Sequence, residues 1–177
     1  MKTLKLLLIP CFTIVLSSAQ SIPQIRAKAL DNSEIALPGP GSKQPLILIV
    51  GFSQRGGTLC QAWSKKISSD YQSDPRVAYF TLAVLQGAPS LFRPMIVRGI
   101  RKGLPVEEHR HFVPIYSEEN EWKKLVTFSA PDDAYLIVAT ADGHPVWQAH
   151  GAYSDSLYSE LKKSVSALLE GSIIPKP

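Results

Sequence analysis

The run Leu46 to Phe52 (Leu-Ile-Leu-Ile-Val-Gly-Phe) contains no charged or strongly polar residue, and few structural settings accept such a segment. A strand with one wet face alternates polar and apolar residues. This one does not, so it is predicted to lie buried on both faces. Gly56-Gly57 then breaks the chain, and Ser53 or Thr58 is placed to cap a helix reaching about Ser68. In that helix Leu59, Trp63 and Ile67 recur at i, i+4 and i+8 and make one apolar stripe. Asp74-Pro75 turns the chain, and Val77 to Val84 reads as a second strand. Strand, helix and strand in so short a span form a βαβ unit, with parallel strands and a right-handed crossover.

The flanks add further elements. Ile25 to Leu37 reads as a short hairpin turning at Asp31-Asn32-Ser33, followed by a Pro/Gly loop at residues 38–42. From Gln86 to Phe128 the chain reads as interrupted helix. Ser90 can cap a first piece with Pro94 in its first turn, and Gly103 with Pro105 ends it. Val106 to Phe112 and Glu118 to Leu125 are two shorter pieces. Ala134 to Thr140 is a strand, Asp142-Gly143 a tight turn, and Val146 to His150 the antiparallel return. Leu157, Leu161, Val165, Leu168 and Leu169 give a closing helix an apolar face, and Gly171 stops it.

This order, βαβ, helices, β-hairpin and helix, resembles the thioredoxin-like superfamily over about Leu46 to Leu169. The segment Asp133 to Trp147 resembles its hairpin, a strand ending at Asp-Gly and returning through an aromatic residue. The resemblance implies an α/β fold, a thioredoxin-like three-layer α/β/α sandwich with a mixed central sheet and a helical insertion. Within that superfamily four segments stand in the order of one family: Gly51-Phe52-Ser53, Gln61-Ala62-Trp63, Ile100 to His109, and Asp133 to Val138. They resemble the mitochondrial assembly factor that chaperones the membrane-embedded a subunit of the rotary ATP synthase. That likeness implies a chaperone or assembly role without catalysis.

The N-terminus points elsewhere than to mitochondria. Lys2 and Lys5 precede an apolar stretch from Leu6 to Leu16, and Ser17 and Ala19 supply the small residues of a cleavage site. Residues 1–19 are therefore expected to be a signal peptide, 20–171 the thioredoxin-like domain and 172–177 a tail. The protein is expected to be exported, to a periplasmic or extracellular space. Cleavage lowers the net charge from +4 to +2, because Lys2 and Lys5 leave with no acid. So weak a positive balance gives no reason to expect nucleic-acid binding. It also removes Cys11, leaving Cys60 as the one cysteine and no intramolecular disulfide.

Thiol–disulfide exchange needs an attacking and a resolving cysteine at Cys-x-x-Cys. Cys60 falls near the resolving position, and Gly57 holds the attacking one. Thioredoxin-like enzymes also place a cis-proline before the hairpin strand, where this chain has Asp133 or Ala134 and Pro131 comes too early. Cys60 is thus a weak redox candidate, with Thr58 and Arg55 nearby as the parts of a peroxidatic site. The plainer reading makes it a small buried helix residue. His109 with His111, and His144 with His150, have no ligand spacing, so neither a metal nor another cofactor is expected. Glu118, Glu119, Glu121, Lys123 and Lys124 read as a solvated helix face. No glycine-rich phosphate loop is present.

Leu91 to Leu104 carries Arg93, Arg98, Arg101 and Lys102 with no acid among them. On a helical wheel Phe92, Met95, Ile96, Gly99 and Ile100 share one side, with Arg93, Arg98 and Arg101 towards the other. The expected partner-binding residues are Arg93, Arg98, Arg101, Lys102, Phe92 and Ile96, facing a membrane protein or an anionic membrane surface. Residue pattern alone assigns no oligomeric state. The function expected is a non-enzymatic chaperone, assembly or interaction module. The alternative is a single-cysteine thiol enzyme, peroxiredoxin-like or an accessory of thiol–disulfide exchange.

Overall fold

The computed structural model describes residues 20–171; the expected signal peptide (1–19) and tail (172–177) lie outside that range. Strands β1 (Ile25–Lys28) and β2 (Glu34–Leu37) form an antiparallel hairpin. Asp31 accepts the Ser33 amide at 2.9 Å and hydroxyl at 2.6 Å to close its turn. The main sheet contains β3 (Leu46–Gly51), β4 (Ala78–Val84), β5 (Phe112–Ile115), β6 (Ala134–Ala139) and β7 (Pro145–His150), in the order β5-β4-β3-β6-β7. β3 is parallel to β4 and antiparallel to β6, and every one of its residues is buried, as the unbroken apolar run requires. The sheet is therefore mixed, with a parallel half (β3, β4, β5) and an antiparallel half (β3, β6, β7).

Helix α1 (Gln54–Tyr71) links β3 to β4, and α4 (Asp155–Leu169) ends the domain. Together they cover one face of the sheet, where Trp63, Ile67, Tyr158, Leu161 and Val165 meet Ile47, Ile49, Leu136 and Val138. Short helix α3 (Glu119–Leu125) and the β1–β2 hairpin cover the other. There Trp122, Leu125, Ile22, Ile25 and Leu37 pack on Leu48, Val50, Leu82 and Ile137. Three layers result, one of them half helix and half hairpin. Helix α2 (Arg93–Gly103) and a 3-10 turn (Val106–His111) form the helical insertion, between β4 and β5. Neither contributes a buried residue.

Several sequence expectations need correction. The middle segment is not helical throughout, because Phe112–Ile115 pairs in parallel with Thr81–Val84 as β5. Gly56-Gly57 does not break the chain but lies inside the first turn of α1, which starts earlier and is capped by Ser53. Gly56 is required there because a Cβ at that position would stand 2.9 Å from the Asp133 carbonyl oxygen. Ser90 caps nothing; Phe92 occupies the position before α2 and makes no side-chain cap. The stripe of α1 also runs wider than Leu59, Trp63 and Ile67, taking in Cys60, Ser64 and Ser68.

Candidate functional site

In this architecture the C-terminal end of the central strand β3, the first turn of α1 and the loop before β6 meet at one end of the sheet. Ser53 has an extended backbone, and its hydroxyl accepts the Gly56 amide at 2.9 Å while donating to Asp132 at 2.7 Å. Arg55 reaches the other oxygen of Asp132 at 3.5 Å. Asp133 takes His150 Nδ1 at 2.6 Å, and the imidazole stacks on Tyr135. The Tyr135 hydroxyl accepts the amides of Ser129 and Ala130 and donates to the Ala130 carbonyl, which pins the loop. The cis peptide among the described residues precedes Pro38, away from this loop.

Cys60 lies in the second turn of α1, 3% exposed, with its sulfur under Gly51 and in the same apolar cluster as Trp63. Burial away from water disfavours a thiolate, and pushes the thiol up to about 12. The positive end of a helix ordinarily lowers a thiol pKa, but here desolvation wins. Thr58 is exposed, and Arg55 is engaged by Asp132, so the loop does not assemble an activated thiol around Cys60.

The histidines are local structural groups. His109 Nε2 faces the carbonyls of Arg101 and Leu104 and caps the C-terminus of α2. His111 is half-buried: it stacks on Tyr79 at 4.0 Å, and burial holds its pKa below the usual value. His144 stands beside Asp142. Among the described residues no three His, Cys, Asp or Glu side chains form a group that could hold a metal. Glu119–Lys123 and Glu121–Lys124 pair along α3.

The second feature is the α2 segment. Its arginines face inward as much as outward. Arg93 donates to the carbonyls of Ala88 and Gln86 at 2.9 and 2.8 Å and lies 5.5 Å from the Tyr116 ring. Arg101 donates to the Leu30 carbonyl at 2.5 Å, tying α2 to the hairpin. Ile96, expected on the outward apolar side, is half-buried, as is Ile100. Leu91, Phe92 and Met95 project into solvent instead, 83%, 50% and 64% exposed, with Arg98 and Lys102 also exposed. Val106, just beyond the helix, is exposed as well. The sequence reading missed Arg26 and Lys28, which lie on β1 beside α2. The alternation Ile25-Arg26-Ala27-Lys28 was the available signal.

No protein-family model matches the chain, and no curated protein matches it in sequence. Solved structures do. One is the pneumococcal exposed lipoprotein thioredoxin of Streptococcus pneumoniae, at TM-score 0.54 and 12% identity, over 80% of this chain and 99% of that one. A thiol-disulfide oxidoreductase from Bacteroides fragilis matches at TM-score 0.51 and 11% identity, over 81% and 98%. BsSco, a member of the Sco family of cytochrome c oxidase assembly proteins, matches at 0.54 and 11%, over 84% and 95%. At these identities the likeness defines the fold. The chain has a thioredoxin-like fold, and Gly57, not a second cysteine, stands three residues before Cys60.

Proposed function

We propose that this domain is an exported, non-enzymatic chaperone or assembly module that meets a membrane protein at an anionic membrane surface through residues 91–104. The observation that carries the reading is the clustering of exposed apolar side chains. Leu91, Phe92, Met95, Val106 and Tyr116 are the exposed large hydrophobics of the described residues, and four of them lie within residues 91–106. Solvent-facing apolar clusters beside basic residues mark docking surfaces. The likeness of Ile100 to His109 to the ATP synthase assembly factors supports the assembly role, and the expected signal peptide supports export.

Magnitudes rank the contributions. Arg98 and Lys102 each add about 1 kcal/mol near anionic lipid, whereas burying Leu91, Phe92 and Met95 gives about 1.5–3 kcal/mol apiece. Apolar contact therefore dominates, and salt should weaken docking without abolishing it. The thiol-enzyme alternative has no accessible thiol among the described residues to support it, since Cys60 is buried. Flotation with vesicles containing anionic lipid tests the proposal. Wild type should float and the Leu91→Ser/Met95→Ser double variant should stay at the bottom. Equal behaviour of the two proteins refutes it.

A further inference from the structure

We infer that the groove between α2 and the β1–β2 hairpin binds an extended, acidic peptide segment of the partner protein. The inference rests on the interaction-module reading above and names the chemistry of the ligand. Two adjoining clefts line the inner flank of α2, one of about 440 Å³ against β1 and one of about 610 Å³ at the start of the helix. They share Val97, Arg101 and Tyr116, so they meet as one open groove along the helix. Its walls hold five cations, Arg26, Lys28, Arg93, Arg98 and Arg101, and no acidic residue. The acid nearest in register, Glu34 opposite Lys28, belongs to the far strand of the hairpin.

None of these five cations makes an ion pair among the described residues. Elsewhere among the described residues Arg55, Lys66, Arg76, Lys123, Lys124 and Lys162 each have a carboxylate partner, whereas Lys43, Lys65, Lys102, Arg110 and Lys163 stand singly and do not share one cleft with four other cations. A still larger cleft on α4, about 680 Å³, mixes Lys66, Lys162 and Lys163 with Asp155 and Glu170. It compensates itself, and the α2 groove does not.

The groove is also preorganised. Arg93 and Arg101 are fixed by backbone carbonyls, which use two donors of one guanidinium and one of the other. Each guanidinium has about five N–H donors, so several remain to grip a carboxylate, and the side-chain ordering cost is already met in the free protein. Tyr116, 44% exposed at the junction, offers an aromatic face to an apolar residue between two acids. From Arg93 to Arg101 the helix rises about 12 Å, the length of about four extended residues. A segment alternating acidic and apolar residues fits that spacing, because its acids repeat on one side.

The test is fluorescence anisotropy of the full chain with a labelled peptide of alternating glutamate and valine, against the same peptide with glutamine for glutamate. The acidic peptide should bind and the glutamine peptide should not. Lys28→Gln with Arg98→Gln should weaken binding about tenfold or more, the size of one lost charge-assisted hydrogen bond. Both residues are exposed and make no internal hydrogen bond through their side chains, so the variant should melt as wild type does. Raising ionic strength from about 0.01 M to about 0.15 M shortens the screening length from about 30 Å to about 8 Å and should weaken binding as well. Equal affinity of the two peptides, or of wild type and the double variant, overturns the inference. So does protein that floats with anionic vesicles yet ignores the peptide; that outcome leaves the membrane-docking proposal standing and removes only the groove.

Discussion

Cys60 should react with thiol reagents only when the domain opens. An ordinary thiol with a pKa of 9.0 is about one-tenth thiolate at pH 8, whereas one held at about 12 is thiolate in about 1 molecule in 10,000. Alkylation by iodoacetamide at pH 8 should therefore run about 1,000-fold slower in the native protein than in denaturant. The same burial sets a pH dependence. The native thiol holds its proton up to about 12, while the unfolded chain loses it above 9.0. The unfolded state then binds fewer protons, so this contribution to stability is complete below pH 9 and drains away as pH rises towards 12. By pH 11 the loss is about 3 kcal/mol. Cys60→Ala has no such group and should cost about 1 kcal/mol at pH 8 through the deleted sulfur. Urea unfolding at both pH values should show the curves crossing, with wild type more stable at pH 8 and Cys60→Ala more stable at pH 11. A native alkylation rate within tenfold of the denatured rate, or parallel pH profiles, refutes the reasoning.

Ser53→Ala removes both the α1 cap and the bond to Asp132 and should cost about 1–2 kcal/mol in chemical denaturation. Ser90→Ala, at the position expected from sequence to cap α2, should be neutral in the same assay, within about 0.5 kcal/mol. The Asp70 carboxyl is held below its usual value chiefly by the Tyr158 hydroxyl, so its contribution is lost as pH falls through the carboxylate range. Tyr158→Phe should therefore flatten the acid limb of the stability profile, and an unchanged limb would contradict that pairing. Trp63→Ala removes a fully buried indole and its bond to the Gly151 carbonyl, and about 3–5 kcal/mol should be missing at equilibrium unfolding.

Elements whose identity comes from their own residues were legible in the sequence. The β3 run, the α1 stripe, the Asp142-Gly143 turn and the α4 face each carry a periodic or compositional signature, and each formed, α1 with the earlier start and wider stripe described above. β5 carries none. Phe-Val-Pro-Ile is four residues with a proline, and it becomes a strand only because β4 offers a parallel edge across the α2 insertion. The α2 segment failed differently. A helical wheel says which side chains share a face, not which face turns inward. Here the carbonyls of Ala88, Gln86 and Leu30 draw Arg93 and Arg101 inward, and Leu91 and Met95 are left facing water. The groove cations on β1 stand far from α2 in sequence, so only the folded chain brings them together.

Gly57 has a further meaning for how such a domain gains or loses chemistry. A Cβ built on it meets nothing within 4 Å, although its neighbour Gly56 is pressed against the Asp133 carbonyl. A cysteine at that one position would stand in the first turn of α1, three residues before Cys60, where the helix terminus favours a thiolate. On this scaffold one side chain at Gly57 would place two cysteines three residues apart at the start of α1, with no buried neighbour displaced.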